Sequence, residues 1–493
     1  MGEGARDDVL DTPTAGPRVI RGSLLRLLGH LLGAVISVVS SAVVIRHLGV
    51  VDTGRFVTVM ALVTIVGSIS DLGLSAFGVR EYSVRPRGEG RRLLRNVLGM
   101  RVTFALSGLA AAVAFAATVD YTEAMVAGTV LAGFGMVLFV VQQSQAIPLH
   151  VSLRFGWVAA LQLLLQAGVA VGAVVLALAG AGLLPFFALQ LPVMVPILVL
   201  TAVIGGRATR VLPAFDVAEW RRMLARILPY SAAVILSILY FRVGQIMVSL
   251  IANDVQTGYF GVSFRVLESI TTIPPLLVSS ALPILARAAL NDSQRFAYAG
   301  RRLAEVMLIA GVGLAVILFL GAELAVDVVA GPGFEPAVDV LRVLAIALIG
   351  TFVIAARGYA LLSLDRTRAI LVANAIALGI VFAAGVPLIE AHGALGGAIA
   401  LVAAELALAA CYEVALTAAR RELGVSVGFV ARVALAGVVA VVPLMLLDLP
   451  PLAMAVIGAV VYGGALLALR APPDGLREDL LAGWRSSRRE AAP

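Results

Sequence analysis

The chain contains no lysine: all 37 of its Lys+Arg residues are arginine. It has one cysteine, four histidines and 14% charged residues. Each shortage excludes something. Cys411, alone, permits no intramolecular disulfide and no cysteine metal cluster. His30, His47, His150 and His392 form no pair at metal-ligand spacing, and without lysine there is no phosphate-cradling Gly–Lys loop. Neither a metal nor a cofactor is expected. The absence of lysine points to a GC-rich coding bias, which concerns source and not function. Long polar loops are also missing. No gap between apolar stretches exceeds about 25 residues, and the outward gaps are shorter still. An embedded glycan polymerase or glycosyltransferase needs a larger extracytoplasmic element to hold its acceptor, so the chain reads as a passage and not as an enzyme.

What is abundant is apolar surface. A hydrophobic content of 61% and a mean hydropathy of +1.02 exclude a soluble globular domain. Fourteen apolar stretches, each about 18–25 residues long, are long enough to cross a bilayer as helices. They cover 24–45, 56–78, 98–118, 124–147, 156–179, 182–204, 229–252, 258–285, 303–322, 340–362, 368–389, 393–416, 428–447 and 450–469. The first 23 residues mix acids and bases, with no small-residue cleavage site after a short apolar run, so no removable signal peptide is expected.

The arginines are distributed in a zigzag. Thirty-one of the 37 lie in alternate gaps, at the span starts beside them and in the two tails, among them Arg6, Arg80, Arg91, Arg154, Arg207, Arg221, Arg301, Arg366, Arg420 and Arg489. The opposite gaps hold only Arg46 and Arg55, with Asp120, Glu123, Asp254, Glu323, Glu390 and Asp448. Cytoplasmic loops retain positive charge, so both termini are expected in the cytoplasm of a bacterium and the spans in its plasma (inner) membrane. The same distribution explains the net charge of +7 without a nucleic-acid partner.

An internal repeat divides the spans. His47-Leu48-Gly49-Val50-Val51-Asp52-Thr53-Gly54-Arg55-Phe56 aligns with Ile251-Ala252-Asn253-Asp254-Val255-Gln256-Thr257-Gly258-Tyr259-Phe260, sharing valine, Thr-Gly and phenylalanine. Each is an outward turn after the first span of a half. Arg154 and Arg368, and the glycine turns 180–182 and 393–397, fall at equivalent places. The expected fold is therefore all-α and polytopic, with about 14 transmembrane helices. Two six-helix bundles, 24–204 and 229–416, are related by a pseudo-two-fold along the membrane normal. Helices 13 and 14 (417–469) are an addition, flanked by cytoplasmic tails at 1–23 and 470–493. In the linker, 205–228, Trp220, Met223, Leu224, Ile227 and Leu228 recur at helical spacing, the pattern of an interfacial amphipathic helix. Leu476, Leu480 and Trp484 repeat it more weakly.

The turn Ile45-Arg46-His47-Leu48-Gly49, with Thr53-Gly54-Arg55-Phe56, resembles one found early in bacterial polysaccharide flippases. Asp71-Leu72-Gly73-Leu74 followed by Arg80 is similar to the same family, as are three later stretches. These are Tyr240-Phe241-Arg242-Val243, Gly331-Pro332-Gly333-Phe334 leading to Val340-Leu341-Arg342, and Gly393-Ala394-Leu395-Gly396-Gly397 before Glu405. The resemblance covers about residues 24–420. It places the chain in the multidrug/oligosaccharidyl-lipid/polysaccharide exporter superfamily and implies two bundles around a cavity of alternating access. The implied cargo is a polyprenyl-pyrophosphate carrying sugars. Gly244, followed by Gln245, stands where many relatives carry aspartate, so no cation-coupling role is carried over to that position.

Four arginines belong to neither set of gaps and lie farther into spans: Arg242, Arg265, Arg342 and Arg357. Each costs about 2.5–3.5 kcal/mol near the bilayer centre, so it faces a cavity or a partner. Arg242 shares a face with Gln245, and Arg265 with Glu268 at i+3. Thr64, Ser68, Asp71 and Ser75 form a polar stripe on span 2. The substrate-binding candidates are Arg242, Arg265, Gln245, Glu268, Asp71, Arg357 and Ser68, with guanidinium forks holding the pyrophosphate. Against them stand a local Arg265–Glu268 ion pair, helix-end capping by Asp71, and interfacial placement of Arg357. Arg46, Arg55 and Arg80 are candidate gating or turn residues. The expected function is a flippase moving a lipid-linked oligosaccharide to the outer leaflet for cell-surface polysaccharide, driven by a proton or sodium gradient or by membrane potential. Its expected partners are membrane lipids, a polysaccharide polymerase and other glycan-assembly proteins. A cation-coupled multidrug exporter, a peptidoglycan lipid-precursor flippase, a polymerase and a transport-inactive scaffold are the alternatives.

Overall fold

In hydrocarbon every backbone N–H and C=O must find its partner within the protein, and a helix achieves this within one segment. The computed structural model describes residues 15–206, 209, 211–279 and 293–471, and among these every element is helical. The tail pattern 476–484, Arg6, Arg207, Arg287 and Arg489 lie outside the described residues.

The chain forms two compact units, Met1–Ile238 and Leu239–Pro493. The first holds α1 (Ala15–Asp71), α2 (Leu74–Val84), α3 (Arg87–Thr118), α4 (Glu123–Gln145), α5 (Ile147–Val151), α6 (Phe155–Leu178), α7 (Leu183–Ala188) and α8 (Gln190–Gly205). Then α9 (Val217–Ile251) carries the chain onward. The second holds α10 (Asp254–Thr271), α11 (Ile273–Ser279), α12 (Ser293–Leu320), α13 (Ala322–Val329), α14 (Ala337–Ser363), α15 (Thr367–His392) and α16 (Ala394–Ala419). It ends with α17 (Val427–Val441) and α18 (Pro451–Ala468), both packed against α12.

Among the described residues, twelve helices are long and apolar enough to cross a membrane, against about fourteen expected. One difference is the stretch Leu32–Val84, which contains residues of the first two predicted spans. Its backbone breaks at Gly49, φ 70° and ψ −176°, a conformation open to glycine alone. The other is predicted span 8. There α10 places Asp254, Arg265 and Glu268 within 18 residues, and residues 280–285 of that span lie outside the described residues.

In each unit the decapeptide touches the glycine-rich turn of its own half, through different residues. In the first, His47 Nε2 lies 2.7 Å from the Ala181 carbonyl oxygen, and Phe56 stacks on Phe187 at 5.5 Å. In the second, Gln256 Oε1 accepts from the Ala394 N–H at 2.9 Å. A Cβ on Gly397 would lie 3.2 Å from the Phe260 ring, and one on Gly393, at φ +56°, would lie 2.6 Å from Gln256 Oε1. Thr53 and Thr257 are both fully buried. Each decapeptide thus seats the glycine turn of its own half.

The segment read as a linker belongs to the first unit, and its helix continues without interruption into the next predicted span as α9. Asp216 begins it by accepting from the Glu219 N–H at 3.1 Å, a side-chain cap for a donor left unpaired at the helix start. Met223 and Ile227 are buried against Leu93, Leu94, Val97 and Leu98 of α3, with Trp220 and Leu224 beside them. Most of the amphipathic face is therefore covered by protein; Leu228 remains exposed.

Candidate functional site

In the second unit α10 and the end of α9 bring charges together. Glu268 bonds the guanidinium of Arg242 through Oε1 and that of Arg265 through Oε2 at 3.2 Å. Gln245 Oε1 accepts from Arg242 Nη1 at 3.4 Å, and Arg242 also stands 5.4 Å above the Phe264 ring, a cation–π contact. The site is an Arg–Glu–Arg triad with one net positive charge, not a purely cationic cavity. Its side chains are 17%, 24% and 31% exposed for Arg242, Glu268 and Arg265, so both arginines retain a surface that another anion can approach.

The first unit centres on Asp71. Arg101 Nη2 reaches its Oδ1 at 2.9 Å, and Ser75 Oγ donates to the same oxygen at 2.5 Å. Arg101 Nη1 donates to Ser144 Oγ at 2.9 Å. Asp71 therefore anchors a buried cation, beyond any role in ending α1. Ser68, one turn earlier, donates to the Thr64 carbonyl at 2.8 Å.

Arg357 has no exposed surface. Its Nε lies 2.6 Å from Glu413 Oε2, while Nη1 and Nη2 have no hydrogen-bond partner among the described residues. The turn residues are placed differently. Arg55 pairs with Asp52 at 3.0 Å, and Arg46 and Arg80 are exposed. Arg342, at the start of α14, pairs with Asp339 at 3.0 Å.

Sequence reading missed three partners. Arg101 lies at the start of predicted span 3, next to the loop arginines of the preceding gap, and its position alone does not set it apart from them. Glu413 lies 56 positions from Arg357, which no helical periodicity connects. Tyr240 donates to Glu405 Oε1 at 3.1 Å, joining α9 to α16; both residues belong to the motifs quoted above, but nothing in the sequence pairs them. Gln142 Nε2 donates to Thr201 Oγ1 at 3.3 Å, and the cavity beside it has a volume of about 20 Å³. That is room for a water, not a sugar.

The fold is similar to that of a lipid II flippase, MurJ, in an inward closed conformation: TM-score 0.71, 15% identity, 94% of this chain and 100% of that one. It is also similar to an inward-facing multidrug-resistance MATE family transporter of the MOP superfamily, with TM-score 0.65, 12% identity and coverage of 81% and 99%. A MOP superfamily transporter from Pyrococcus furiosus Vc1 matches with TM-score 0.56, 14% identity and coverage of 85% and 99%. No curated protein matches the chain in sequence. The architecture is that of a polytopic helical membrane protein with the fold shared by these three. Residues 43–339 match the polysaccharide biosynthesis protein family, and the chain belongs to that family.

Proposed function

We propose that the protein is a flippase carrying a polyprenyl-pyrophosphate-linked oligosaccharide from the cytoplasmic to the outer leaflet of a bacterial plasma membrane, with both termini in the cytoplasm. It works by alternating access and is not an enzyme. The observation that supports this most directly is the Arg242–Glu268–Arg265 triad in a chain of the polysaccharide biosynthesis family. A diphosphate entering this cluster competes with one carboxylate for two guanidinium forks. Glu268 then acts as the resident anion that cargo displaces, so the arginines are never left unpaired in the membrane. Glycan-assembly proteins are the proposed partners, and an ion gradient or the membrane potential the proposed drive.

A second reading is a peptidoglycan lipid-precursor flippase. The fold likeness to MurJ favours it, and it asks the same diphosphate chemistry of the site. Mass spectrometry of polyprenyl-linked intermediates after depletion, with an impermeant label reporting leaflet, separates these readings. The oligosaccharide reading expects one glycolipid to accumulate on the cytoplasmic side. Accumulation of the peptidoglycan precursor selects the second, and an unchanged lipid pool with new sensitivity to cationic drugs selects a multidrug exporter.

A further inference from the structure

We propose that a basic cavity beside the two added C-terminal helices holds the phosphate headgroup of an anionic phospholipid. The cavity has a volume of about 500 Å³ and lies where α12, α17 and the chain leaving α18 meet. Arg301, Arg302, Arg432 and Arg470 line it, with Glu305 and Glu422. Glu305 is shared by Arg301 Nε at 2.9 Å and Arg302 Nη1 at 3.4 Å. Four guanidinium groups against two carboxylates leave two positive charges without a counter-charge in the cavity.

Two of these arginines are set apart from the ion pairs. Arg432 donates from Nε to the Gly428 carbonyl at 3.1 Å and from Nη1 to the Arg470 carbonyl at 3.1 Å. Those oxygens orient its fork and do not neutralise it. Arg470 itself adopts the left-handed conformation, φ 51°, as the chain turns at the end of α18 and Ala471 N–H bonds the Leu466 carbonyl at 3.0 Å. Its guanidinium has neither hydrogen bond nor ion pair among the described residues.

The surroundings favour a lipid over a soluble anion. Phe429 lines the cavity and belongs to the apolar cluster of Val312, Val316 and Val433 behind it. On the adjoining face of α17, Val427 and Val430 are 83% and 42% exposed, and Tyr298 at the rim is 69% exposed. Bare valines on a membrane helix face acyl chains, and tyrosine favours the headgroup level. A ligand that satisfies both surfaces carries a phosphate diester on apolar chains, and basic pockets between membrane helices take such headgroups. The cavity shares no residue with the Arg242–Glu268–Arg265 triad, so the inference stands apart from the identity of the cargo.

Native mass spectrometry of the full-length protein, delipidated in detergent and titrated with phosphatidylglycerol, cardiolipin or phosphatidylcholine, tests it. The anionic lipids are expected to bind in preference to phosphatidylcholine. Arg470→Gln and Arg301→Gln are each expected to weaken that binding about fivefold, the effect of one basic residue at a membrane surface. Arg470→Lys, which keeps the charge, and Arg366→Gln, which lies outside the cavity, are expected to bind as the parent does. Equal binding of anionic and zwitterionic lipid, or unchanged binding in both glutamine variants, overturns the proposal. Displacement of the lipid by millimolar inorganic phosphate makes this a soluble-anion site and overturns the lipid assignment.

Discussion

Arg101 of α3 and Asp71 at the end of α1 are joined at 2.9 Å, the guanidinium 4% exposed and the carboxylate 34% exposed. The pair is therefore asymmetric: one partner has no water to return to. Asp71→Ala strands a buried cation, whereas Ser75→Ala removes only a neutral donor. Breaking a fully buried pair costs about 3–5 kcal/mol, and the open side of Asp71 reduces this to roughly 1–3 kcal/mol. Thermal unfolding in detergent is expected to rank Asp71→Ala well below Ser75→Ala; equal melting temperatures would refute the anchoring role.

Arg357 and Glu413 offer the sharper contrast. Without Arg357, Glu413 is still 30% exposed and still accepts the Val425 N–H at 3.0 Å, whereas without the acid a fully buried guanidinium is left unpaired. Arg357→Met is therefore expected to melt near the parent, and Glu413→Gln lower by at least about 2 kcal/mol. Retained melting but lost surface glycan in Arg357→Met would give this arginine a role in transport that its burial does not suggest.

For the triad, charge reversal separates pairing from function. Arg242→Glu faces Glu268 with a like charge and is expected to insert poorly. The double variant Arg242→Glu with Glu268→Arg is expected to recover insertion, with a coupling of about 0.5–3 kcal/mol. Arg242→Ala is expected to insert but to lose surface polysaccharide at least tenfold. Normal glycan in that variant removes the triad from the transport path.

Acid should release the start of α9. Asp216 is held below its ordinary range by the Glu219 N–H it accepts and then by Arg92. A depressed carboxylate stabilises the fold above its unfolded value and loses that contribution as pH falls through the folded one. The window therefore lies below the ordinary value of 3.8. Trp220 fluorescence should shift as pH drops below it, and Asp216→Ala should show the acid-side spectrum at neutral pH. A parent-like spectrum in Asp216→Ala contradicts the cap.

Gly49 and Gly393, two of the positive-φ glycines of the repeat, differ in surroundings. At Gly49 an added Cβ meets nothing within 4 Å, whereas at Gly393 it meets Gln256 Oε1 at 2.6 Å. Both alanine variants carry backbone strain of about 1–3 kcal/mol. Gly393→Ala must also disturb the Gln256–Ala394 hydrogen bond, worth about 1 kcal/mol. The expected order of melting temperature is parent, Gly49→Ala, then Gly393→Ala.

Helices, repeat and family were legible because hydrocarbon imposes length and apolarity on contiguous residues, and because the two decapeptides lie at matching places. Arg265–Glu268 was legible for the same reason, being one turn apart. Arg242–Glu268, Arg101–Asp71 and Tyr240–Glu405 were not, since each joins different helices and the residue spacing within either one says nothing of the other. The continuity of α9 was hidden where its pattern changes from amphipathic to wholly apolar, a change a helix makes without altering its backbone. Span 8 was counted as apolar although it carries the charges of the candidate site.

The hydroxyls of span 2 have a consequence of their own. Thr64 donates to the Met60 carbonyl at 2.7 Å and Ser68 to Thr64 at 2.8 Å, so the one hydrogen each owns is turned inward along its helix. What they present outward is lone pairs. Such a strip is an acceptor surface, one that welcomes O–H and N–H donors and repels phosphate oxygens.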